Sequence, residues 1–255
     1  PSKWIHIGGD EVGMSQWNKC PDCKALMEEK NLDGNALQAY FMNRVAKIIE
    51  KYGKKPCVWN EAIDSGTLTK DAMVYGWENV AECRKATSMG YPTVVMPGAY
   101  FYFDMRQTQR EPGHDWAAIF DVRKPLSFDV VMQGFTEKEL KNVVGLQASF
   151  FSELYLSHRD DDSDYIYYQT YPRICALSEV AWQGKGGEWQ SFYAKLVESH
   201  YSRMKAMGID FRLFPPTVSY DNGLLKASTD DCSHIYYKIV GDDKEYIYKV
   251  PIATD

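Results

Sequence analysis

Trp4-Ile5-His6-Ile7-Gly8-Gly9-Asp10-Glu11 joins a short apolar run to a glycine turn and a pair of acids. The apolar run predicts a strand, and the two glycines let the backbone turn sharply and approach a ligand closely. Two adjacent carboxylates at the C-terminal end of a strand can then reach one pocket. By itself the segment is explained equally well by a turn followed by two solvated acids, so the rest of the chain has to decide between these interpretations.

Apolar runs of the same kind recur up to about Thr217, and longer helical patterns separate them. The candidate strands are Trp4 to Ile7, Pro56 to Trp59, Met73 to Gly76, Thr93 to Met96 and Val143 to Ala148. Strands that alternate with helices form a parallel sheet that the helices cover. The predicted fold class is therefore α/β.

Two amphipathic helices are predicted within this alternation. The first has an apolar stripe at three- and four-residue steps and ends at Gly53; the stripe consists of Leu37, Phe41, Val45, Ile48 and Tyr52. The second runs from about Glu188 to Met207 and stops at Gly208; near one of its faces are Trp189, Phe192, Tyr193, Leu196 and His200.

The pattern changes after Arg212-Leu213-Phe214-Pro215-Pro216, where turn residues and short aromatic strands follow. Gly241-Asp242-Asp243 is a hairpin turn between the strand-like segments His234 to Ile239 and Tyr246 to Tyr248. The segment 218–255 is too short for an independent sandwich. We therefore expect it to be the start of a β-rich module, or a β-appendage on the preceding domain, with a boundary near Thr217.

Composition excludes several classes of protein. The 255 residues carry a formal net charge of −6, which provides no basic surface for a nucleic acid. No apolar run approaches the roughly 20 residues that span a bilayer, and residues 1–30 lack the pattern of a signal peptide. The chain begins at Pro1 without an initiator Met, immediately before the first strand, so we expect a preceding segment.

Six cysteines stand at irregular spacings, at Cys20, Cys23, Cys57, Cys83, Cys175 and Cys232. Only Cys20-Pro-Asp-Cys23 has the spacing of a motif. A zinc site needs a second pair or a nearby His, and a thioredoxin-like site needs a strand before the motif. We interpret the pair as structural or incidental.

Aromatic residues and carboxylates close the later strands in a similar way, at Trp59-Asn60-Glu61, Gly76-Trp77-Glu78, Tyr100 to Asp104 and Phe150 to Glu153. In a β/α barrel these strand ends converge on one face, where active sites lie. Aromatic walls with a few carboxylates suit a sugar, whose ring offers an apolar face for stacking and hydroxyls for hydrogen bonds. Ordinary core packing explains any single Trp about as well, but it explains the whole set less well.

The motif His6 to Glu11 resembles the hallmark of glycoside hydrolase family 20, the β-N-acetylhexosaminidases, and the later motifs follow in the order of that family. The resemblance covers about residues 3–217. Its further parts are Val58-Trp59-Asn60-Glu61, Tyr102-Phe103-Asp104, Gly145-Leu146-Gln147-Ala148 leading to Glu153, Tyr171-Pro172-Arg173, Ser178 to Trp182, and Phe211 to Pro216.

The resemblance implies a partial eight-stranded TIM barrel in residues 1–217. The Gly-Gly-Asp-Glu motif closes the fourth strand in the family, so the chain would hold strands four to eight. The first three strands, with an arginine that grips the outer hydroxyls of the sugar, would lie outside it. Phe151 stands where the family usually has Trp, which leaves a smaller wall near the N-acetyl pocket or the leaving group.

The resemblance also implies a reaction, the hydrolysis of terminal β-linked N-acetylhexosamine with retention and without metal or cofactor. Glu11 would protonate the glycosidic oxygen and later activate water, while the acetamido oxygen of the substrate attacks the anomeric carbon. Asp10 would orient the acetamido group and Tyr102 would hydrogen-bond its oxygen. The remaining site residues would box the acetamido methyl (Trp59, Trp77, Trp182), form a wall (Phe151) or bind hydroxyls (Asp104, Glu153).

Two other interpretations remain open at this stage. Gly-Gly-Asp-Glu followed by an aromatic residue is a nucleotide cyclase signature, but Val12 follows here. The second is a catalytically silent carbohydrate-binding or structural fragment, because a barrel that lacks three strands exposes two sheet edges. We expect an isolated chain of this kind to self-associate through those edges.

The family resemblance implies a secreted, periplasmic or cell-surface protein that acts on a glycan or chitooligosaccharide.

Overall fold

The computed structural model describes residues 2–154, 163–229 and 233–253, so Cys232 lies outside the described residues. Its main element is a five-stranded parallel sheet with the strand order β1-β2-β3-β4-β5. The strands are β1 (Trp4–His6), β2 (Lys55–Trp59), β3 (Met73–Gly76), β4 (Thr93–Val95) and β5 (Val143–Leu146). The prediction of an α/β fold with a parallel sheet is confirmed, because all five candidate strands lie in this sheet in chain order.

Helices follow the strands and cover the sheet. In chain order they are α1 (Pro21–Lys30), α2 (Gly34–Glu50), a 3-10 turn (Asn60–Ile63), α3 (Val80–Ser88), α4 (Gly98–Phe101), α5 (Arg123–Leu126), α6 (Glu137–Leu140), α7 (Ser163–Thr170), α8 (Arg173–Gln183), α9 (Trp189–Lys195), a π-helical segment (Leu196–His200) and α10 (Tyr201–Ala206). Buried apolar side chains between sheet and helices form the core, which includes Val58, Val74, Cys83, Val95, Phe101, Phe128 and Val180.

Helix α2 exists as predicted, but it turns a different face to the sheet. The side chains that it buries are Leu37, Gln38, Ala39, Met42 and Ala46. From the predicted stripe, Phe41 is 60% exposed and Ile48 is 54% exposed. The reason is that the short side chains of Ala39 and Ala46 let the helix lie close to the sheet, while the buried Gln38 amide finds a backbone acceptor, Gly9 O. Leu37 of the stripe is buried as predicted, whereas Phe41, Ile48 and Tyr52 form an exposed apolar surface.

The second predicted helix is continuous through α9, the π-helical segment and α10. The carboxylate of Glu188 caps its N-terminus by accepting hydrogen bonds from the backbone N–H groups of Gln190 and Ser191. Phe192 and Leu196 are buried, and Gly208 has a φ of 69° just beyond the C-terminus. The π-helical segment of this helix was not predicted from the sequence pattern.

The C-terminal strands form two small antiparallel sheets. Strands β6 (Thr217–Asp221) and β7 (Leu224–Ser228) pair across a turn in which Asn222 and Gly223 both have positive φ, and β10 (Ile252–Ala253) adds to β7. Strands β8 (Tyr236–Lys238) and β9 (Glu245–Ile247) form the predicted hairpin around Gly241. Whether residues 218–255 begin a separate module stays a prediction.

Gly76, the last residue of β3, offers a sharp test of how closely α3 packs on the sheet. A Cβ at this position would lie 2.5 Å from Cys83 Sγ and 3.1 Å from Cys83 Cα. We expect Gly76→Ala to lower the free energy of unfolding in urea by about 1–3 kcal/mol, because this contact cannot be relieved without moving the helix.

Gly145 is the matched control, since it also lies within a strand of the same sheet. A Cβ there would meet no atom within 4 Å. Gly145→Ala should change the free energy of unfolding by less than about 1 kcal/mol, and in the stabilising direction if backbone entropy dominates. Equal destabilisation by the two substitutions would contradict the close packing of α3 on β3.

Candidate active site

A cavity of about 520 Å³ lies at the C-terminal ends of the five parallel strands. Its lining brings together all but one of the predicted site residues and adds two that the sequence analysis missed. The lining residues are Asp10, Glu11, Trp59, Trp77, Tyr102, Asp104, His114, Trp116, Phe151 and Glu153. Residues far apart in the chain therefore meet as expected for the strand ends of a β/α fold.

The backbone that carries the acid pair is held in an unusual conformation. Gly8 and Gly9 have φ values of 77° and 103°, and a Cβ on Gly9 would lie 2.9 Å from Ala62 Cβ. Glycine is therefore required at position 9 for both conformation and space. Glu11 also has a positive φ, 51°, which is uncommon for a residue with a side chain and is often found at functional sites.

Neighbouring elements fix this turn by hydrogen bonds to its backbone. The Gln38 side chain donates from Nε2 to Gly9 O at 2.7 Å, and Trp59 N donates to Gly8 O at 3.1 Å. Gly8 N donates to His6 Nδ1 at 3.1 Å. The position of the acid pair is therefore set by α2 and β2 as well as by β1.

Glu61 connects the acid pair to the aromatic wall. One carboxylate oxygen accepts a hydrogen bond from Glu11 N at 3.0 Å, and the other accepts one from Trp77 Nε1 at 2.9 Å. Hydrogen bonds to an ionised carboxylate are among the stronger ones. Glu61 thus fixes the backbone of Glu11 and the indole plane of Trp77 at the same time.

Tyr102 lies at the centre of the aromatic wall. Its ring stacks on Trp77 with centroids 6.2 Å apart, meets Trp116 edge to face at 5.7 Å and contacts Phe151 at 5.2 Å. Burial, followed by the carboxylates around it, raises the pKa of the Tyr102 hydroxyl above its usual range. The phenol therefore stays protonated at neutral pH and can donate a hydrogen bond into the cavity.

Asp104 is the most deeply buried acid in the cavity, with 2% of its surface exposed. Its Oδ1 atom is buried and has no hydrogen-bond partner among the described residues. Burial raises the pKa of the Asp104 carboxyl, while backbone N–H groups and the nearby His114 and Arg173 act in the opposite direction. A buried acceptor without a partner is costly, so this oxygen is suited to a hydroxyl donor on a ligand.

The catalytic-domain model of glycosyl hydrolase family 20 matches residues 1–185. The chain belongs to glycosyl hydrolase family 20. The catalytic domain of this family is a TIM barrel, and the parallel sheet of this chain with its covering helices agrees with that architecture. The family match rules out the nucleotide cyclase interpretation of Gly8 to Glu11.

Relatives within family 20 carry names that agree with this assignment. A β-hexosaminidase of Vibrio furnissii is 30% identical over 182 residues, which are 70% of this chain and 29% of that protein. A β-hexosaminidase of Akkermansia muciniphila is 27% identical over 215 residues, which are 82% of this chain and 42% of that protein. The chain spans less than half the length of these relatives.

A solved family 20 structure shows the same fold. It is the exo-β-N-acetylglucosaminidase of Vibrio harveyi in complex with N-acetylglucosamine, which superposes with a TM-score of 0.73 at 26% identity. The superposition covers 84% of this chain and 33% of that one.

His114 and Trp116 are the lining residues that sequence reasoning missed. They lie on the loop after the Tyr102-Phe103-Asp104 motif, and His114 N donates to Asp104 O at 2.9 Å. Gly113 makes this return possible, because its φ is 132° and a Cβ there would lie 2.6 Å from Arg106 N. A glycine followed by His and Trp shortly after a site motif is the signal that could have identified them.

Trp182 is the predicted site residue that the structure does not place in the family 20 cavity, so its assignment to the acetamido box was wrong. It lies on α8 and is 89% exposed. Helix α8 buries Ala176 and Val180. Trp182 is two residues beyond Val180, about 200° around the helix, and therefore points away from the core. It lines a separate depression with Glu179 and His200.

The described residues contain no group of three or more His, Cys, Asp or Glu side chains that could hold a metal ion.

The double role of Glu61 predicts an effect on both of its partners. In Glu61→Gln one of the two acceptor oxygens becomes an amide donor, which then faces Glu11 N or Trp77 Nε1 without a hydrogen bond. We expect the free energy of unfolding to fall by about 1–3 kcal/mol and the tryptophan fluorescence spectrum to change as Trp77 moves.

Glu179→Gln is the matched control for this substitution. Glu179 also accepts two side-chain hydrogen bonds, from Gln183 and Lys195, but on the surface of α8. Surface pairs of this kind contribute little, so stability and fluorescence should stay close to those of the parent chain. If both substitutions had the same effect, Glu61 would have no special role in the site.

Proposed function

We propose that this chain provides the acid/base residue and the acetamido-binding wall of a retaining β-N-acetylhexosaminidase, which removes terminal non-reducing GlcNAc or GalNAc residues from glycans. The observation that carries the proposal is the placement of Glu11. Glu61 and the turn at Gly9 hold its backbone, and its exposed side chain lines the same cavity as Asp10 and the aromatic wall around Tyr102. The names of the relatives and the N-acetylglucosamine in the Vibrio harveyi structure support the substrate class.

Glu11 acts first as a general acid and then as a general base. It donates a proton to the glycosidic oxygen as the bond between that oxygen and the anomeric carbon breaks. The resulting carboxylate then takes a proton from the water that attacks the same carbon. Its exposed position at the rim is suitable for both steps, because the aglycone leaves and the water enters from the solvent side.

The substrate supplies its own nucleophile. The acetamido oxygen forms a bond to the anomeric carbon on the face opposite the leaving group, which gives a bicyclic oxazolinium-like intermediate. Asp10 orients the acetamido N–H and stabilises the positive charge that develops there. Tyr102 donates its hydroxyl proton to the acetamido oxygen and thereby fixes its direction of attack. Retention of configuration follows from the two successive inversions.

The remaining lining residues bind the rest of the sugar. Trp59 and Trp77 enclose the acetamido methyl group, and Phe151 closes the wall with a smaller ring than the Trp that is usual in the family. Phe151 is 39% exposed, so this side of the pocket is open. Asp104 and Glu153 accept hydrogen bonds from sugar hydroxyls, Asp104 through its free Oδ1 atom.

The five strands serve as strands four to eight of the family barrel. The sheet edges support this, because β1 and β5 are each paired on one side only. The exposed apolar side chains of Phe41 and Ile48 on α2 also agree with a further barrel helix that would cover them. Full activity then requires three more strands, and glycan turnover by the chain alone should be weak or absent.

The family resemblance favours a location outside the cytoplasm.

The open edges predict association of the isolated chain. Unpaired strands template pairing with another chain, so a second copy should bind at β1, β5 or both. Size-exclusion chromatography with light scattering should give a mass of at least two chains, alongside weak turnover of a fluorogenic N-acetylglucosaminide. A stable monomer with the turnover of a complete family 20 enzyme would contradict the five-strand assignment.

The role of Glu11 is tested by Glu11→Gln in the barrel-complete protein. A positioned general acid contributes about 10² to 10⁴ in rate, and turnover of N-acetylglucosaminides with poor leaving groups should fall by that factor. Substrates with activated aryl leaving groups need less protonation and should lose less in the glycosylation step. Steady-state kinetics with both classes of substrate measures the difference.

Glu198→Gln on the exposed side of the π-helical segment is the control and should leave both rates unchanged. A matched β-glucoside, which lacks the acetamido group, should be a very poor substrate of the parent protein. Equal losses on both leaving groups would show that Glu11 is not the acid. Good turnover of the glucoside would show that the substrate does not supply the nucleophile.

No described helix is long and apolar enough to cross a membrane.

A further inference from the structure

Arg173, the first residue of α8, is a fully buried cation that the reaction described above does not use. Its guanidinium donates hydrogen bonds to four backbone carbonyls, three before α7 in the chain and one within α7. Nη1 donates to Met105 O at 2.9 Å and to Phe120 O at 3.4 Å, and Nη2 donates to Phe103 O. Nε and Nη2 donate to Gln169 O at 2.9 and 2.6 Å.

These bonds hold one particular segment, residues 103–120, at both of its ends. The rings of Phe103 and Phe120 lie 5.0 and 5.1 Å from Arg173 Cζ, which adds cation–π attraction at the same two points. Gln169 accepts from Arg173 Nη2 through Oε1 at 2.8 Å and donates from Nε2 to Pro112 O at 2.6 Å, so the middle of the segment is fixed as well.

Segment 103–120 carries Asp104, His114 and Trp116, which line the cavity. No hydrogen bond links Arg173 to Asp104 among the described contacts, because the donors of the guanidinium point to carbonyls. The positive charge nevertheless acts on the carboxylate and lowers the pKa of Asp104 against the raising effect of burial. Burial lowers the pKa of Arg173 itself to about 9, so it remains a cation at neutral pH.

The other titratable groups that interact with Asp104 are His114, Tyr102 and Tyr165. His114 from the same segment also favours its ionised form. Tyr102 and Tyr165 carry no charge at neutral pH, since burial and the acids around them raise the pKa of both hydroxyls. Backbone N–H groups and His114 act on Asp104 first, and Arg173 adds a buried positive charge that persists at neutral pH and leaves Oδ1 without a partner among the described residues.

We propose that Arg173 is the positioning residue of the hydroxyl-binding carboxylate: it fixes segment 103–120 and places a buried positive charge next to Asp104, without occupying the oxygen that a sugar hydroxyl needs. The identity of that hydroxyl ligand rests on the proposed function. The positioning and the charge compensation do not, because they concern contacts within this chain.

The charge effect is measured on the full chain without ligand, by NMR titration of 13C-labelled aspartate carboxyls assigned with Asp104→Asn. Removing the cation in Arg173→Met should shift the titration midpoint of Asp104 upward, because the ionised form loses its compensation. Arg173→Lys keeps a cation and should leave the midpoint closer to that of the parent chain, although Lys cannot reproduce the planar fork.

Arg212→Met is the matched control for a buried arginine. Arg212 is 2% exposed and binds both carboxylate oxygens of Glu111, at 2.8 to 3.1 Å. Its loss should lower stability without moving the titration of Asp104. An unchanged midpoint in a folded Arg173→Met, or an equal shift in Arg212→Met, overturns the charge compensation.

Positioning is tested by calorimetric binding of GlcNAc to the barrel-complete protein at pH 7. Arg173→Met and Arg173→Lys should both weaken binding, by about 10- to 100-fold for the loss of one hydrogen bond to a charged group. Gln169→Leu, which frees Pro112 O but keeps the charge, should weaken binding without shifting the Asp104 titration. Unaltered affinity in folded Arg173→Lys and Gln169→Leu overturns the positioning role.

Two further outcomes keep the proposals distinguishable. If the parent protein itself fails to bind GlcNAc, the proposed function fails, while the titration still decides the charge compensation. If Arg173→Met does not fold, the GlcNAc affinities of Arg173→Lys and Gln169→Leu carry the test: weaker binding by both variants supports the positioning role, and unaltered affinity in both contradicts it.

Discussion

The site depends on one carboxylate that belongs to neither the acid pair nor the cavity lining. Glu61 accepts hydrogen bonds from Glu11 N and Trp77 Nε1, and so joins the ends of β1, β2 and β3. Together with the contacts of Gln38 and Trp59 to the glycine turn, this group sets the position of Glu11 relative to Trp77. The positive φ of Glu11 is maintained because its backbone N–H has this charged acceptor, which offsets part of the strain.

A second constraint on the cavity is that one of its acids, Asp104, is buried. Asp104 is nearly inaccessible, and burial of an uncompensated carboxylate would neutralise it. The structure supplies a cation, Arg173, whose own hydrogen bonds all go to backbone carbonyls and to Gln169. Arg173 binds the carbonyl groups of the residues on either side of Asp104, while the carboxylate keeps one oxygen free for a ligand.

Sequence patterns predicted the sheet well because each strand is a local apolar run closed by a turn, and they predicted most of the cavity because strand ends converge. The sequence patterns did not predict side-chain positions that depend on the angle around a helix or on contacts between residues distant in the chain. The sequence pattern predicts the stripe with Phe41 as the apolar face of α2, but small residues such as Ala46 let a different face pack. Trp182 follows Val180 at a helical angle that points it outward. His114 reaches the cavity only through the folding of its loop.

The chain order explains how five consecutive strands hold the proposed reacting groups, although we expect the chain alone to be a weak catalyst. Glu11, Trp77, Tyr102 and Phe151 follow β1, β3, β4 and β5, so the proposed acid and the proposed acetamido wall are both positioned by this chain. The described part of this chain does not exclude water from the acid pair, because Asp10 and Glu11 are exposed. Electrostatic stabilisation weakens steeply as the surroundings become aqueous. In the proposed complete barrel, this chain therefore positions the reacting side chains. The three further strands contribute mainly the exclusion of water from the acid pair.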